Sequence, residues 1–554
     1  MTTAMQVAKE RRLEWLLQEV HGGGSAAAPS PTRATFSWLA AAIALLGVGV
    51  AIGVGWLHKG DSPRRDVTPA NEPVQEPEPP WHECHGPAAL ADVPADVTAL
   101  RCFDFDDAAC AALAKFAQLE HLDLSGTDAD EQGVSRSLTI TDAGVRALAP
   151  LTALRSLRLA QCHAVKGEGL QVLEAMPRLE LLDLTYSGVE SPGIERLQRL
   201  PSLRTLVLSH CMNFHGRSLA AVARIPGLRR LELSSCTTLA AADVLTLTAL
   251  RELRWLDLRD CQGSFRGQTM SSPWNGEGDE PPAPPTQDGI GITDAVVAAL
   301  ATLPLETLLL GGSESLTDAI GSAFAKLPSL RRLDLSNLPK TTPALLAQVP
   351  AGLEALELSD NPHLDGRALR RLPTLRALRE LGLSDTGPID AADLERLLAD
   401  CDLRVLRFGG ASLRGKGDAR TPGAPFTAAH ARVIAAETSL VELDLRDRLL
   451  EPDAVAPIAT LPALTTLNLG APWRRPLQER TAAVKALAGC RSLRELRVWY
   501  AMVDPSALAA LREVPLRILD LRATSLTVAD VRAAAAAWPG CSITLPNGAP
   551  LRVP

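Results

Sequence analysis

The sequence predicts an α/β fold in which stacked strand–helix coils form a curved solenoid, with a parallel β-sheet on the concave side and helices on the convex side. The first observation is the pattern L-x-x-L-x-L-x-x-C, which begins at Leu203 and recurs at Leu228 and Leu253. The second is its period of about 25 residues, which is typical of repeat architectures. The third is an apolar segment with helical spacing, 218–225, which follows the pattern and ends at Pro226.

Each coil begins with a short strand. The second and third leucines, such as Leu206 and Leu208, are two residues apart, so their side chains lie on the same face of an extended strand. The cysteine three residues later, such as Cys211, fits inside the coil because a thiol packs as a small apolar group. Pro226 and Gly227 end the helical segment, since proline cannot continue a helix and glycine tolerates the turn. One coil cannot bury its apolar side alone, so the fold is stable only as an array.

The repeats extend over residues 100–545. An insertion at 262–289 interrupts them, and its composition is that of a surface loop. A cap at 81–99 precedes the repeats, and a tail at 546–554 follows them. The sixteen predicted units begin at Leu100, Leu119, Leu154, Leu179, Leu203, Leu228, Leu253, Leu305, Leu330, Leu353, Leu378, Leu403, Leu440, Leu464, Leu493 and Leu516.

The repeats resemble leucine-rich repeats of the ribonuclease-inhibitor-like, cysteine-containing kind, in a membrane-anchored bacterial form. Besides the strand pattern, the segment ITDAGVRAL at Ile140 matches the opening of the convex helix in that family, and ITDAVV at Ile292 is similar. The resemblance covers about residues 97–545. It implies a concave side that binds protein. The cysteine position departs from the pattern at Leu338, Asn361, Ala411, Arg448 and Thr524.

Residues 36–57 predict a single transmembrane helix. This segment contains 22 residues without a charge, which is long enough to span a bilayer as a helix. Trp38 and Trp56 lie at its ends, as in the aromatic belts of membrane interfaces. A signal peptide is the alternative, but this apolar core is longer than the core of most signal peptides. We expect residues 1–35 to be a short cytosolic tail and 58–80 a linker rich in proline and glutamate.

The orientation of the chain in the membrane is a separate expectation. The flanking positive charges are too even to fix it by the positive-inside rule. Because the apolar segment comes first and a large domain follows it, we expect the repeats to lie on the extracytoplasmic, periplasmic side.

The composition argues against nucleic-acid binding and against a disulfide scaffold. The net charge of −8 is mildly acidic, which does not suit a nucleic-acid binder. Ten cysteines in 554 residues are too few for a disulfide scaffold. A disulfide within the cap, from Cys84 to Cys102 or Cys110, is an alternative if the domain is exported. His82, Cys84 and His85 are close in sequence but lack a fourth ligand, so we expect no metal and no small-molecule cofactor.

The strongest signal for catalysis is the segment GASLRGKG from Gly410 to Gly417, which is close to a phosphate-binding loop. Gly417 replaces the hydroxyl residue that would bind magnesium, and the residues after it do not open a helix. The sequence also lacks G-x-S-x-G, H-E-x-x-H and paired C-x-x-C motifs. We therefore expect a protein that is not an enzyme.

The predicted concave surface is formed by the residues around the second and third leucines. Its central column, from Asp104 to Asp520, is rich in acidic side chains. Either these charges pair between neighbouring strands, or they form an acidic groove with arginines that binds a basic or mixed-charge protein. We expect Trp255 and Trp499 to be partly exposed anchors. The candidate protein-binding residues are Asp183, Glu232, Trp255, Asp257, Arg259, Asp334, Glu357, Arg407, Asp444, Arg497, Trp499 and Asp520.

Together these observations predict a membrane-anchored, non-catalytic scaffold or recognition module that binds a protein partner on the concave face. An envelope glycan-binding protein is one alternative, and it would need a row of exposed aromatic side chains along the groove. A sensing subunit of a signalling complex is another, and its output would have to come from a bound partner because residues 1–35 are too few for an output domain.

Overall fold

A computed structural model describes residues 79–126, 140–211, 213, 216–236, 239–261, 291–410, 425–451, 453–471 and 478–553. The predicted tail 1–35, transmembrane helix 36–57 and insertion 262–289 lie outside these ranges, as does all but the first residue of the segment 410–417. Within the described ranges, no helix is both long and apolar enough to cross a bilayer.

The strands are short and most contain three residues. In chain order they are β1 (His82–His85), β2 (Ala99–Phe103), β3 (His121–Asp123), β4 (Ser156–Arg158), β5 (Leu181–Asp183), β6 (Thr205–Val207), β7 (Arg230–Glu232), β8 (Trp255–Asp257), β9 (Thr307–Leu309), β10 (Arg332–Asp334), β11 (Ala355–Glu357), β12 (Glu380–Gly382), β13 (Val405–Arg407), β14 (Glu442–Asp444), β15 (Thr466–Asn468), β16 (Gln478–Glu479), β17 (Glu495–Arg497), β18 (Ala501–Met502), β19 (Ile518–Asp520), β20 (Ser542–Thr544) and β21 (Pro550–Arg552).

In the described part of the chain, these strands form a 19-stranded sheet, while β16 and β18 pair separately. Strands of successive coils pair in parallel along the whole sheet, as β6, β7 and β8 do. The last strand, β21, lies in the predicted tail and runs antiparallel to β20, so it ends the parallel ladder. The predicted long parallel sheet is confirmed for the described coils.

Short helices connect most strands on the other side of the coils. The α-helices are α1 (Asp107–Ala112), α2 (Asp142–Ala147), α3 (Ser191–Arg196), α4 (Gly216–Val222), α5 (Ala241–Val244), α6 (Asp294–Leu300), α7 (Gly321–Phe324), α8 (Gly366–Leu369), α9 (Ala391–Leu398), α10 (Ala428–Ala435), α11 (Thr481–Lys485), α12 (Pro505–Ala510) and α13 (Val528–Ala535). Turns of 3₁₀-helix occur at Pro87–Ala91, Leu113–Lys115, Glu168–Ala175, Leu197–Arg199, Leu245–Ala249, Asp318–Ile320, Leu345–Gln348, Ile458–Thr460 and Ala486–Gly489.

The leucine rows form the core. Leu206, Leu231 and Leu256 are register partners in β6, β7 and β8, and all three are fully buried. Burying one such side chain stabilises the fold by about 1.5–3 kcal/mol. Because the middle residue of each strand points inward, its two neighbours in the strand point outward.

The first coil has a different register from the predicted one. Leu100 pairs with Leu122, which makes it the middle residue of its strand and not the start of the unit. The place of the first leucine is taken by Val97, so the leucine spacing alone could not reveal the true start. The outward position therefore belongs to Arg101, whereas Asp104 lies in the turn after the strand with a φ of 57°.

Several thiols, and two of the residues that replace them, form a hydrogen bond to the preceding coil. The thiols of Cys211, Cys236 and Cys261 donate to the carbonyl oxygen of the third leucine in the preceding coil over 3.0–3.2 Å. Asn361 and Arg448 make the equivalent bond over 2.8 and 3.0 Å, which explains why they can replace cysteine. All ten cysteines are free thiols. Burial raises the pKa of the Cys211 thiol to about 11, so it is a poor nucleophile at neutral pH.

The Thr-Asp pairs that open convex helices also join neighbouring coils. The Asp107 carboxylate accepts hydrogen bonds from the backbone N–H and the hydroxyl of Thr141, both over 2.7 Å. It also accepts one from the backbone N–H of Gly144 over 2.9 Å. A Cβ added to Gly144 would lie 2.4 Å from this carboxylate, so the close approach requires glycine. Asp294 holds Thr317 in the same manner, over 2.9 and 2.6 Å.

Candidate protein-binding face

The outward side chains of the parallel strands form one continuous surface, which we call the sheet face. In the three-residue strands of the parallel ladder, the first column contains the first residue, the central column the third residue, and the outer column the second residue after the strand; in β2 the central position is Arg101, the register partner of Asp123. The structure places all the predicted binding residues on this face. Trp255 is in the first column, and Arg259 and Trp499 are in the outer column. The central column holds Asp183, Glu232, Asp257, Asp334, Glu357, Arg407, Asp444, Arg497 and Asp520.

Many charges of the sheet face are paired within a single coil. An arginine in the outer column lies two residues after an aspartate of the central column, and this spacing places both side chains on the same face. The closest N–O distances in three such pairs are 2.6–3.0 Å. The pairs are Arg259–Asp257, Arg446–Asp444 and Arg522–Asp520.

Two further ion pairs cross an intervening strand. Arg332 binds both carboxylate oxygens of Glu380 over 2.9 and 3.1 Å, across the small side chain of Ala355. Arg407 lies 3.8 Å from Glu357 across β12, where the central column holds Gly382. A Cβ on Gly382 would lie 1.9 Å from the Glu357 carboxylate. The charges of this face therefore pair both within one coil and between coils.

Burial makes this pairing necessary. It raises the pKa of the Asp334 carboxyl, and the nearby charge of Glu357 raises it further, whereas the Arg259 guanidinium at 4.0 Å opposes the rise. Burial also raises the pKa of the Asp183 and Glu232 carboxyls. A carboxylate in such surroundings is costly to leave unpaired. The sheet face is therefore a network of compensated charges.

The expected partial exposure of Trp255 and Trp499 is wrong. Their exposed fractions are 6% and 7%. The Arg230 guanidinium lies 4.0 Å over the ring of Trp255. The ring of Trp499 lies against Gly470, where a Cβ would be 2.5 Å from it. Both rings thus pack against residues of neighbouring coils, outside the leucine core. Neither indole N–H has an acceptor in the described residues.

Trp81 is a residue of this face that the sequence did not indicate. Its ring centroid lies 4.9 Å from the Arg101 guanidinium and 5.5 Å from that of Arg158, and it meets His121 edge to face at 6.3 Å. Its indole N–H also has no acceptor in the described residues. The sequence signal for Trp81 was the pair of arginines in the central column of β2 and β4, Arg101 and Arg158. The shifted register of the first coil concealed the position of Arg101.

A row of turn residues borders the outer column. Asp360, Asp385 and Asp447 each follow an outer-column residue and have a left-handed φ between 58° and 62°. Burial raises the pKa of the Asp385 carboxyl to about 8, with further increases from the charges of Asp360 and Asp447, while Arg446 and Arg448 oppose the rise. The repeated aspartate at this position is visible in the sequence. The raised pKa of Asp385 is not, because it depends on how neighbouring coils stack.

No cluster of three or more His, Cys, Asp or Glu side chains in the described ranges could hold a metal ion. In the cap, Cys84 is buried and donates to the carbonyl of Gly86 over 3.5 Å, whereas His85 stacks on Phe103. These side chains therefore do not converge on one point.

Solved structures were compared with this fold. No family model and no curated protein matches the sequence. An internalin from Listeria monocytogenes is 18% identical over 69% of this chain and 82% of its own, with a TM-score of 0.32. A leucine-rich-repeat protein from Leptospira interrogans is 15% identical over 78% of this chain and 97% of its own, with a TM-score of 0.36.

A third structure, TLR13 in complex with the RNA ssRNA13, is 16% identical over 79% of this chain and 68% of its own, with a TM-score of 0.39. At these identities the likeness concerns the fold alone. The leucine-rich-repeat architecture of this chain rests on its own coils.

Proposed function

We propose that this chain is a membrane-anchored, non-catalytic leucine-rich-repeat module that binds a protein partner on its sheet face. The observation that carries the proposal is a set of three tryptophans there, Trp81, Trp255 and Trp499, whose indole N–H groups have no acceptor in the described residues. A buried donor without an acceptor costs about 1–3 kcal/mol. A docked polypeptide has backbone carbonyls that can supply acceptors after small side-chain shifts.

The arginines beside these rings support the same conclusion. Arg230 lies over Trp255, and Arg101 lies near Trp81. Tryptophan and arginine are the residue types that dominate protein-binding hot spots. Because cation–π contacts and glycine contacts already hold the rings in place, less side-chain entropy is lost when a partner docks.

The paired charges define what partner fits. A strongly basic partner would have to compete with the arginines already bound to Asp257, Asp444 and Asp520. A polypeptide with side chains of both signs can instead extend the existing network. We therefore propose a mixed-charge protein surface, recognised by complementary shape and by the tryptophan positions.

The membrane anchor in this proposal is residues 36–57, with the repeats on the extracytoplasmic side. Alkaline extraction of membranes tests the anchor: the full-length chain should stay with the membrane, and a variant lacking 36–57 should be released. Protease added outside the cytoplasmic membrane should then digest the repeats. Release of the full-length chain by alkali would contradict the membrane anchor. Protection of the repeats from protease would contradict their extracytoplasmic location.

Site-specific photo-crosslinking in the native host tests the binding face. A photoreactive residue at Val207 or Leu309, both partly exposed in the central column, should crosslink the full-length chain to one common polypeptide. The same residue at Leu245, which is 39% exposed outside the sheet face, is the matched control and should not give that product. Products obtained only from the control position would place the interface elsewhere.

A further inference from the structure

A second charged surface lies along the edge where the chain enters the strands. The residue immediately before each strand forms a column there, which we call the edge column. In several coils it is an arginine and in the following coil a glutamate. The closest N–O distances are 3.1 Å for Arg155–Glu180 and 2.6 Å for Arg254–Glu306. The fold thus places a carboxylate of the next coil beside an arginine of this column.

The last coils do not follow this arrangement. Arg494 and Arg517 precede β17 and β19, and the backbone N–H of Arg517 donates to the carbonyl of Arg494 over 2.7 Å, so they are direct neighbours in the edge column. Arg491 adjoins them, because its carbonyl accepts a hydrogen bond from Arg494 Nη1 over 2.8 Å. Like charges on neighbouring strands repel each other. Three arginines therefore share one place on the surface.

The surrounding acidic side chains do not offset this charge. Within the described ranges, no carboxylate forms an ion pair with Arg491, Arg494 or Arg517, and the Arg494 guanidinium donates to three backbone carbonyls instead. Glu495 is held by Arg497 over 2.5 Å. Glu513 is exposed in the turn before β19 and is a single negative charge against three positive ones. The cluster therefore keeps an excess of positive charge.

An exposed apolar side chain lies next to these arginines. Ile518 follows Arg517 and is 44% exposed. Its register partner in β20 is Ser542, which pairs in turn with Arg552 of β21. Register partners of adjacent strands lie on the same face of a sheet, so Arg552 is on the outward side beyond Ile518. We call this set of residues the arginine edge: Arg491, Arg494, Arg517, Ile518 and Arg552.

We propose that the arginine edge docks an acidic segment of a partner protein, with carboxylates on the arginines and one apolar side chain against Ile518. The edge column itself favours carboxylates, because glutamates fill the place beside an arginine in other coils. Arginine binds carboxylates with charge-assisted, often bidentate hydrogen bonds. Ile518 favours a polypeptide over a nucleic-acid backbone or a lipid headgroup, since neither of these has an apolar group beside its charge. This inference goes beyond the proposed function and does not depend on it.

The test uses the full-length chain in nanodiscs of neutral lipid and an array of fluorescent nonapeptides, at about 50 mM salt. Each peptide contains four glutamates and one leucine in a different order, and its control has glutamine in place of glutamate. Fluorescence anisotropy should show binding by a subset of the glutamate peptides, with at least about tenfold weaker binding by their controls. An array without any binding peptide would overturn the proposal.

Charge reversal locates the site. The double variant Arg494→Glu/Arg517→Glu should weaken peptide binding by at least about tenfold, and Ile518→Ser by about fivefold, with cooperative unfolding retained. Arg404→Glu/Arg432→Glu, at two exposed arginines of other coils, changes the net charge equally and should leave binding unchanged. Equal weakening by the two double variants would mean that net charge, and not this site, attracts the peptides.

Two other anionic probes test the class of partner. Stronger binding of a single-stranded RNA of equal charge, or of phosphatidylglycerol vesicles, that is lost in Arg494→Glu/Arg517→Glu would contradict an acidic protein segment. Val207 and Leu309 lie in β6 and β9, away from the last coils. Crosslinking from these two positions therefore reports the first proposal independently.

Discussion

At the scale of single residues, the carboxyl of Asp385 connects the stability of the fold to pH. Its pKa of about 8 is caused first by burial and then by the charges of Asp360 and Asp447. Because this value is above that of an unfolded aspartate, about 3.9, the folded chain holds the proton more tightly. The stabilisation is complete below about pH 4 and is lost as the pH rises through about 8.

We therefore expect Asp385→Asn to stabilise the protein at about pH 9 relative to the wild type and to have little effect at about pH 4. Denaturant unfolding of both proteins at several pH values measures the difference. If the free energy of unfolding of the variant followed the wild-type pH dependence, the raised pKa of Asp385 in the folded chain would be contradicted.

Gly382 is a second residue whose substitution should change the stability of the fold. Gly382→Ala would push the Glu357 carboxylate away from Arg407, since the new Cβ would lie 1.9 Å from it. We expect a loss of about 1–2 kcal/mol in the free energy of unfolding. Gly489→Ala, where a Cβ would meet nothing within 4 Å, is the matched control. Similar losses in the two variants would mean that the ion pair isn't the cause.

At the scale of elements, the contacts between successive helix starts hold the coils together. The Asp142 carboxylate accepts hydrogen bonds from the backbone N–H groups of Gly167 and Gly169 over 3.0 and 2.7 Å. Asp142→Ala should therefore cost about 1–2 kcal/mol. It should also speed amide hydrogen exchange at 167–170. Glu168→Ala, at a largely exposed side chain, is the control, and equal exchange in both variants would count against this role.

The coils themselves could be predicted from the sequence, because leucine spacing is local and is repeated many times. The first register could not, since Val97 replaces the leucine. The burial of Trp255 and Trp499 depends on Arg230 and Gly470, which lie in other coils and carry no local signal. Alternation along the strand therefore predicted which side chains point outward, whereas their charge pairing and ring packing required the stacked structure.

At the scale of the whole molecule, many charges of the sheet face are paired with one another. Arg259, Arg332 and Arg446 are bound to carboxylates of the same or nearby coils. Compensated charges contribute little to long-range steering of a partner. Association of a partner with this face should therefore depend only weakly on ionic strength.

We expect association of the partner with the sheet face to slow by less than about tenfold between about 50 and 300 mM salt. Arg446→Ser, which exposes the charge of Asp444, should increase this dependence for a mixed-charge partner. Stopped-flow measurements of the association rate decide this. A wild-type rate that falls steeply with salt would mean that steering by net charge dominates after all.

The most direct test is the dissociation constant of the crosslinked partner for the full-length chain in which Trp81, Trp255 and Trp499 are all replaced by leucine. If the tryptophans of the sheet face anchor the partner, the constant should rise by at least about 100-fold, while cooperative unfolding is retained. An unchanged dissociation constant in a variant that still unfolds cooperatively would contradict the account.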